Sequence, residues 1–270
     1  MSELALTEDI LELEGIEEFR CNEWNYYSNN DIGVPRVTHI LKQCRNTEGL
    51  IQWAANVGKR KYEYYRDKAC DIGTIVHTTI DEYLSNKYIT KSSVEYLVNY
   101  DNIEEDYKSS VFKAFENFKL WEAKLNEYGA KIEEVVGLEI PVTCPWFGGT
   151  IDAIVKINGA YYIIDFKTSK NISSEYILQV SSYMWIINNG YAPGLPHIDG
   201  IGIIRVDKSN IGIINDLFLN DFNPEHHNII TSFQQCFLDQ VTVFYRIINT
   251  NYLFDKYSKE YNPEYIYGAK

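Results

Sequence analysis

The first half of the chain carries apolar residues at helical spacing. Ile72, Val76 and Ile80 recur every fourth residue, and a longer apolar stripe follows them. Such spacing predicts amphipathic helices, and Pro35 suits the first turn of an earlier helix. The predicted helices are Val34–Leu41, Leu50–Asp67, Asp71–Leu84 and Glu104–Tyr128.

The pattern changes after Gly129, which suits the end of the last of these helices. Runs rich in Ile, Val and Tyr then predict strands, and Asn158-Gly159 between two of them predicts a two-residue hairpin turn. The predicted strands are Ile132–Val142, Gly148–Ile157, Ala160–Phe166, Ile198–Val206 and Ile211–Leu219, with helices at Ser173–Asn189 and Pro224–Tyr252. This order predicts an α/β fold in which a sheet is flanked by helices.

The composition is that of a globular protein, with 45% hydrophobic and 23% charged residues among 270. No run approaches the roughly 20 apolar residues that span a bilayer, and Met1–Arg20 is acidic where a signal peptide is basic and then apolar. We therefore expect a protein that is not secreted and binds no membrane. It would lie in the cytoplasm or, if it is viral, in the interior of the host cell. We also expect an acidic, Asn- and Tyr-rich N-terminal segment at 1–33 and a single domain at 34–270.

The net charge is strongly negative, because 38 acidic residues face 25 basic ones and the formal sum is −13. Such a protein repels a polyanion at long range, which argues against a bulk nucleic-acid coat protein. An enzyme whose site carries metal ions is still compatible with this charge, because the local field at a site outweighs the sum. The stretch 42–68 is locally basic, with seven Lys and Arg residues against three acids.

Two aspartates interrupt strands that are otherwise apolar. Asp152 follows Gly148-Gly149, and Asp165 precedes Lys167, with the Asn158-Gly159 turn between the two acids. Aspartate is disfavoured in strands and costly inside a sheet. Because side chains alternate along a strand, Asp165 and Lys167 share one face of the sheet. The hairpin places Asp152 on that same face if its register allows.

Two such carboxylates about 4 Å apart repel each other by roughly 4 kcal/mol at an effective dielectric constant of 20. A hard divalent cation removes this repulsion, and ligation by oxygen favours Mg²⁺ or Mn²⁺ over zinc. A lysine beside the pair can position or deprotonate an attacking water, or stabilise negative charge on a phosphate. The spacing by itself is equally compatible with a buried Asp–Lys ion pair and an unrelated turn aspartate.

The D-x12-D-x-K pattern after Gly-Gly resembles the PD-(D/E)XK nuclease superfamily. Three further motifs resemble its RecB-type exonuclease branch: GTIVH at 73–77, the Q-x-x-x-Y of Gln179 and Tyr183, and VPRVTHIL at 34–41. The last is similar to the P-S-V-T-x-I-L leader of phage and mitochondrial genome-maintenance exonucleases, with Arg36 in place of a small residue. The resemblance covers roughly 34–183. It implies a mixed central sheet flanked by helices, with a restriction-endonuclease-like αβββαβ core and helical additions at both ends.

The resemblance also implies a metal centre. Asp152, Asp165 and the backbone carbonyl of Phe166 would hold Mg²⁺ or Mn²⁺, and His77 would complete the metal shell. Glu139, on the preceding strand, is a candidate further acid. The five cysteines are scattered and form no C-x-x-C pair, so we expect reduced thiols and no iron–sulfur cluster of the kind that CRISPR-associated relatives carry.

The same resemblance implies roles for the neighbouring polar side chains. Lys167 would handle the water nucleophile, and Gln179 would orient the lysine or a phosphate oxygen. Tyr183 would contact the DNA backbone or support Gln179. Plain helix packing is the alternative for these two residues, and Thr168 either bonds a phosphate or caps its strand.

A second group of candidates, at 59–66, interleaves cations with aromatic residues. Stacking on unpaired bases and neutralisation of phosphates would use such a mix, while a charged run on a helix is equally compatible with a solvated face. The candidate nucleic-acid contacts are Lys59, Arg60, Lys61, Tyr62 and Arg66, together with Thr168.

Together these residues predict metal-assisted hydrolysis of phosphodiester bonds. The expected protein is a DNA exonuclease acting on single-stranded or end-exposed DNA in replication, repair or recombination, with DNA and other replication or recombination proteins as partners. A structure-specific endonuclease of the same fold is one alternative. A catalytically inactive DNA-binding or scaffold protein is another, favoured by the net charge of −13. The abundance of Tyr, Ile and Asn indicates an A·T-rich genome and a phage or virus.

Overall fold

The computed structural model describes residues 26–29, 32–43, 48–89 and 103–260. The strands in these ranges are β1 (Tyr26–Asn29), β2 (Ile32–Pro35), β3 (Ile132–Thr143), β4 (Gly148–Ile157), β5 (Ala160–Lys167), β6 (Gly200–Val206) and β7 (Ile214–Asn220). The helices are α1 (Val37–Gln43), α2 (Glu48–Val57), α3 (Lys59–Leu84), α4 (Glu105–Glu127), α5 (Ser174–Asn188) and α6 (Pro224–Glu260), with a π-helical turn at Ser85–Ile89 after α3. Most of the N-terminal segment expected at 1–33 lies outside the described residues.

Five strands form the central sheet in the order β3-β4-β5-β6-β7. Neighbouring strands pair antiparallel except β5 and β6, which pair in parallel. A parallel pair needs a crossover connection, and α5 supplies it. The order α4-β3-β4-β5-α5-β6 confirms the predicted mixed sheet and its αβββαβ core.

Helices cover both faces of the sheet, each face over its own apolar cluster. On one face α1, α5 and α6 pack around buried side chains such as Ile40, Met184 and Phe237. On the other face α3 and α4 pack around Val76 and Phe118. The sheet is therefore the middle of three layers, and its strands position the residues described in the next section.

The β4–β5 hairpin closes at Asn158-Gly159, as predicted. Both residues have positive φ, 49° and 81°, which the favoured two-residue hairpin turn requires at its two central positions. The ladder then runs from Ile157↔Ala160 to Ala153↔Ile164 without a shift. The turn therefore fixes the register of the two strands that carry the predicted acids.

The predicted helix break between residues 67 and 71 is wrong. The chain breaks at Gly58 instead, and α3 continues without interruption to Leu84. Gly58 has a φ of 81°, a left-handed conformation that glycine adopts at no steric cost. One glycine thus separates α2 from a helix of 26 residues.

The predicted helix start at Pro35 is also wrong. Pro35 is the last residue of β2, which pairs with β1 in a hairpin that the hydrophobic pattern did not indicate. Arg36 bridges to Gly148 at the start of β4, and α1 begins at Val37. The fixed φ of proline is compatible with the end of a strand as well as with the start of a helix.

The C-terminal helix α6 is the longest, with 37 residues. Its buried side chains include Phe237, Val241 and Tyr245, and the Tyr245 hydroxyl donates a hydrogen bond to the Trp146 carbonyl at 2.7 Å. Neither α6 nor any other described helix has the combination of length and apolarity that crossing a membrane requires.

Candidate active site

The two predicted strand acids occupy opposed positions on the β4–β5 hairpin. Ladder pairing ends at Ala153↔Ile164, so Asp152 and Asp165 take the next opposed positions. The backbone N–H of Phe166 donates to Asp152 Oδ2 at 2.8 Å. A carboxylate oxygen thus accepts the hydrogen bond just beyond the last paired residues of the two strands. The observed register therefore places Asp152 on the same face of the sheet as Asp165, which the sequence alone did not determine.

Lys167 lies on the same side of β5 as Asp165. Its Nζ is 2.7 Å from each carboxylate oxygen of Asp165. Phe166, between them, points to the other face and packs against Phe118, with ring centroids 5.6 Å apart. Lys167 Nζ also lies 5.0 Å from the ring centroid of Tyr176 at the start of α5. The ammonium group is therefore held between a carboxylate and an aromatic ring.

Strand β3 adds a third carboxylate. Pairing of β3 with β4 is in register on both sides of Glu139, which puts this residue opposite Asp152. Glu139 has a φ of 48°, a left-handed conformation that is uncommon for any residue with a Cβ. Backbone strain of this kind concentrates at functional sites.

Helix α3 lays His77 against the same hairpin. His77 Nδ1 is 3.5 Å from Asp152 Oδ2, and its ring meets Phe166 edge to face with centroids 6.2 Å apart. Ligand atoms of His77, Glu139 and Asp152 lie within 4.8 Å of one another. The Asp165–Lys167 ion pair lies next to these groups. We call the five side chains together the carboxylate cluster: His77, Glu139, Asp152, Asp165 and Lys167.

Asp81 is a further acid beside the carboxylate cluster that no sequence motif revealed. It follows His77 by four residues on α3, so the two side chains share one helix face. Its Oδ1 is buried and accepts no hydrogen bond from the described residues. The i, i+4 spacing could have revealed Asp81, but nothing in the sequence distinguishes it from the adjacent Glu82.

Crowding raises the pKa of two of these carboxyl groups. Burial raises the pKa of Asp152 well above its ordinary value, repulsion by Asp165 adds to the rise, and Lys167 counters it. Burial, together with repulsion by Glu139 and Asp152, raises the pKa of Asp81 to about 7. Negative charge at this site therefore exceeds what the neighbouring cations balance.

The two basic groups of the carboxylate cluster shift in opposite directions. Burial and the nearby Lys167 lower the pKa of His77, so its imidazole is neutral at pH 7 and offers a lone pair to a metal. Burial lowers the pKa of Lys167, but Asp165 and Asp152 outweigh this and the pKa lies above its ordinary value. Lys167 is therefore charged at neutral pH in the metal-free protein.

Helix α5 presents Gln179 and Tyr183 on one face, as their spacing predicts. Gln179 Nε2 donates to the Tyr183 hydroxyl at 3.3 Å. Tyr183 is only 3% exposed, and it covers Gly149, where an added Cβ would lie 2.4 Å from the tyrosine ring and hydroxyl. Of the two roles considered for Tyr183, this geometry favours support of Gln179 over contact with DNA.

Arg205 holds the segment that follows Lys167, and no pattern in the sequence indicated this role. Because β5 and β6 pair in parallel, Arg205 lies beside Lys167. Its guanidinium donates to the Ser169 carbonyl at 2.8 Å, to Asn215 Oδ1 at 2.7 Å and to the Asp207 carboxylate. This buried side chain thus fixes the loop that leads from β5 to α5.

Of the predicted nucleic-acid contacts, only Thr168 lies at the carboxylate cluster. It follows Lys167 directly, and its Oγ1 is 3.5 Å from the position that a Cβ on Gly73 of α3 would take. The contacts at 59–66 lie on the first turns of α3. Even Arg66 is about 16 Å from His77 along the helix axis. These residues therefore form a separate surface.

The profile of the PD-(D/E)XK nuclease superfamily matches residues 50–241, well over half of the chain. A search of curated proteins found no match. Among solved structures, one titled "Crystal structure of SSO0001" is similar over 63% of this chain and 84% of its own, with 14% sequence identity and a TM-score of 0.25. That likeness is too slight to add to the assignment.

The matched range contains the whole candidate site, from His77 to Tyr183. Nucleases of this superfamily use divalent metal ions, and His77, Glu139 and Asp152 form a group that could hold one. Membership implies nuclease activity with DNA as the substrate. The chain belongs to the PD-(D/E)XK nuclease superfamily.

Proposed function

We propose that this protein is a metal-dependent DNA exonuclease of the RecB-type branch. It acts on single-stranded or end-exposed DNA in replication, repair or recombination. The observation that carries the proposal is the gathering of His77, Glu139 and Asp152 ligand atoms within 4.8 Å of one another, beside the Asp165–Lys167 pair. The GTIVH and Q-x-x-x-Y motifs support the branch, and family membership supports nuclease chemistry.

We also propose where the enzyme works and with which proteins. Residues 34–270 form one nuclease domain that works inside the cell, in the cytoplasm or, for a phage or viral protein, in the host. Other replication or recombination proteins would supply or consume its DNA ends.

The side chains at the site fit a divalent metal ion. Carboxylate oxygens predominate, the one imidazole is neutral, and the buried Asp81 Oδ1 accepts no hydrogen bond from the described residues. An oxygen-rich donor set favours Mg²⁺ or Mn²⁺. The groups that would hold the ion are His77, Asp152, Asp165 and the backbone carbonyl of Phe166, with Glu139 as a further acid. When bound, such an ion lowers the pKa of water and neutralises charge on the phosphate.

Lys167 would position the attacking water and stabilise the negative charge that builds on the scissile phosphate. Its ammonium is fixed 2.7 Å from the Asp165 carboxylate, and its raised pKa keeps it charged. A fixed charge in a largely buried site stabilises a transition state more than the same charge in water. This role does not need the lysine to lose its proton.

Gln179 would orient a phosphate oxygen or the lysine from the adjacent helix. Tyr183 supports it through the hydrogen bond between their side chains. Thr168 would bond a phosphate next to Lys167. The residues proposed to neutralise the DNA backbone farther away are Lys59, Arg60, Lys61 and Arg66, with Tyr62 among them.

A cleavage assay on labelled DNA with Mg²⁺, Mn²⁺ or EDTA tests the proposal through Asp165→Asn. We expect activity to fall by at least about a hundredfold, because the substitution removes one proposed ligand and the partner of Lys167. Asp216→Asn is the matched control, since Asp216 lies on β7 and accepts a hydrogen bond from Trp121. That variant should keep full activity.

Substrates blocked at the 5′ end, the 3′ end or both ends then define the mode of cleavage. Loss of cleavage when both ends are blocked supports an exonuclease. Cleavage of doubly blocked flaps would indicate a structure-specific endonuclease instead. Binding of DNA without cation-dependent cleavage of single-stranded, double-stranded or flapped substrates would indicate an inactive DNA-binding protein and refute the proposal.

A further inference from the structure

Four aromatic side chains form a patch where α2 meets the start of α3. The ring of Trp53, on α2, lies 5.6 Å from the ring of Tyr62 and 6.3 Å from that of Tyr65, measured between centroids. Tyr64 lies 5.5 Å from Tyr65. We call these four residues the aromatic platform.

The aromatic platform faces solvent. Trp53 is 40% exposed, Tyr64 55% and Tyr65 51%. Helix α2 contributes no buried residue, so packing within the described part of the chain does not account for its apolar side chains. A contiguous exposed patch of this kind is typical of a binding surface.

Cations lie near two of the four rings. The Arg66 guanidinium lies 5.8 Å from the ring centroid of Tyr62, and Lys68 Nζ lies 5.9 Å from that of Tyr64. The stretch 48–68 holds five Lys and Arg residues against three acids, in a chain whose net charge is −13. Arg66 pairs with Asp67 at 2.7 Å, Lys68 with Asp106 at 3.8 Å and Lys59 with Glu63 at 3.9 Å. The excess positive charge of this surface on an acidic protein therefore comes from Arg60 and Lys61.

A nucleic-acid strand with unpaired bases has the chemistry that matches this surface. Its bases present flat faces that stack on aromatic side chains, and its phosphates carry charge that the cations attract. A duplex offers the phosphates but hides the faces of its bases. A second copy docked platform to platform would match the rings but would bring the same cations face to face.

Helix α3 contributes residues to both the aromatic platform and the carboxylate cluster. Tyr65 and His77 both belong to α3 and are about 18 Å apart along its axis. At the roughly 3.4 Å spacing of stacked nucleotides, this distance corresponds to about five nucleotides. A strand with one phosphate at the cluster therefore reaches the platform once it extends about that far.

We propose that the aromatic platform stacks the unpaired bases of the DNA strand whose end lies at the carboxylate cluster. The proposal rests on the nuclease function proposed above and adds what the enzyme selects, a single-stranded segment of at least about five nucleotides. Trp53 is its central contact because its ring touches two of the three tyrosines.

Hydrolysis of oligothymidylates of three and fifteen nucleotides by full-length Trp53→Ala tests the proposal. We expect KM for the fifteen-mer to rise about tenfold with kcat unchanged, because the variant loses a stacking surface for a base. KM for the three-mer should not change, since that strand is too short to reach Trp53. Trp53→Phe keeps an aromatic face and should recover most of the affinity. Gln52→Ala, an exposed neighbour on α2, should match wild type.

Three outcomes overturn the proposal. They are an equal rise in KM for both lengths, an unchanged KM for the fifteen-mer, and a Trp53→Ala effect on self-association in analytical ultracentrifugation without an effect on the fifteen-mer.

Fluorescence anisotropy measures binding of a labelled fifteen-mer and of a blunt duplex without requiring hydrolysis. It therefore tests the aromatic platform even if the proposed nuclease function fails. If wild type hydrolyses nothing, weaker binding of the single strand alone by Trp53→Ala still supports the aromatic platform. Equal weakening for the duplex overturns it.

Discussion

The carboxylate cluster and the aromatic platform share helix α3 but hold their charged groups in opposite ways. In the cluster, Asp165 is 2% exposed and Lys167 Nζ lies 2.7 Å from its carboxylate. On the platform, Arg66 and Lys68 lie 5.8 and 5.9 Å from the tyrosine rings they face. One region has its geometry fixed by buried partners, whereas the other presents groups that solvent still reaches.

This difference indicates what a substitution in each region should change. In the carboxylate cluster, displacing one group displaces its partners, so effects are strong and not additive. On the aromatic platform, the exposed rings contribute to binding of the strand and touch no group of the carboxylate cluster. We therefore expect changes in the cluster to act on kcat and changes on the platform to act on KM.

Among substitutions that remove no charge, the largest effect is expected from Gly149→Ala, which disturbs the support behind the carboxylate cluster. A Cβ at this position would lie 2.4 Å from Tyr183, so Tyr183 and its partner Gln179 must move. We expect kcat on single-stranded DNA to fall by about ten- to a hundredfold. Overpacking should also lower the free energy of unfolding by about 1–3 kcal/mol.

Gly200→Ala is the matched control for this prediction. A Cβ on Gly200 would lie 2.5 Å from Tyr162 and 2.6 Å from the Leu219 carbonyl oxygen, so the crowding is at least as severe, but Gly200 opens β6 at the far end from Arg205. Its unfolding free energy should fall while its kcat stays at the wild-type value. Equal losses of kcat in both variants would contradict a specific role for the Gly149–Tyr183 contact.

An intermediate effect is expected from Tyr176→Leu, which removes the ring from one side of Lys167. The ammonium lies 5.0 Å from the ring centroid, and a cation–π contact of this kind is worth about 1 kcal/mol. We therefore expect kcat to fall about fivefold. Tyr176→Phe keeps the ring and should retain the wild-type kcat. If the phenylalanine variant is as slow as the leucine variant, the hydroxyl group is responsible and the ring is not.

A change confined to the pH dependence of stability, with no demand on activity, is expected in the metal-free protein. The pKa of Asp81 is about 7 in the fold against an ordinary value of 3.8, so the folded chain binds more protons than the unfolded chain between these pH values. Its contribution to stability is therefore lost as the pH rises towards and past 7. Asp81→Asn should weaken this pH dependence and raise the free energy of unfolding at pH 8, measured with urea in EDTA.

Glu63→Gln, next to the aromatic platform, serves as the comparison for Asp81→Asn. Glu63 forms a partly exposed ion pair with Lys59 at 3.9 Å, so its loss should leave the pH dependence of stability unchanged. A pH profile of Asp81→Asn that parallels wild type would refute the assignment of this destabilisation to Asp81.

Local sequence was sufficient to predict the β4–β5 hairpin and its acids. Asn158-Gly159 identified the turn because few residue pairs adopt positive φ so readily. The alternation of side chains then put Asp165 and Lys167 on one face, with Phe166 on the other. Each of these features depends on residues that are near neighbours in the chain, and the structure agrees with each.

Features that depend on distant segments could not be predicted in this way. Asp81 matters because β3 and β4 bring Glu139 and Asp152 to α3, and nothing around residue 81 encodes that approach. Arg205 reaches Ser169 through the parallel pairing of β5 with β6. Helical spacing gave no sign that α2 leaves its aromatic residue exposed, because that depends on what the helix packs against.

The turn at Asn158-Gly159 also limits how the chain between the two acids can change in length. Six residues separate each acid from the centre of this turn, and this equality makes Asp152 and Asp165 opposed positions. One residue inserted in either strand would shift the pairing by one step and carry Asp165 to the opposite side of the sheet. A residue inserted in both strands would leave the acids opposed. Chains that keep this pair of acids on a two-residue turn therefore lengthen or shorten the hairpin by even numbers of residues.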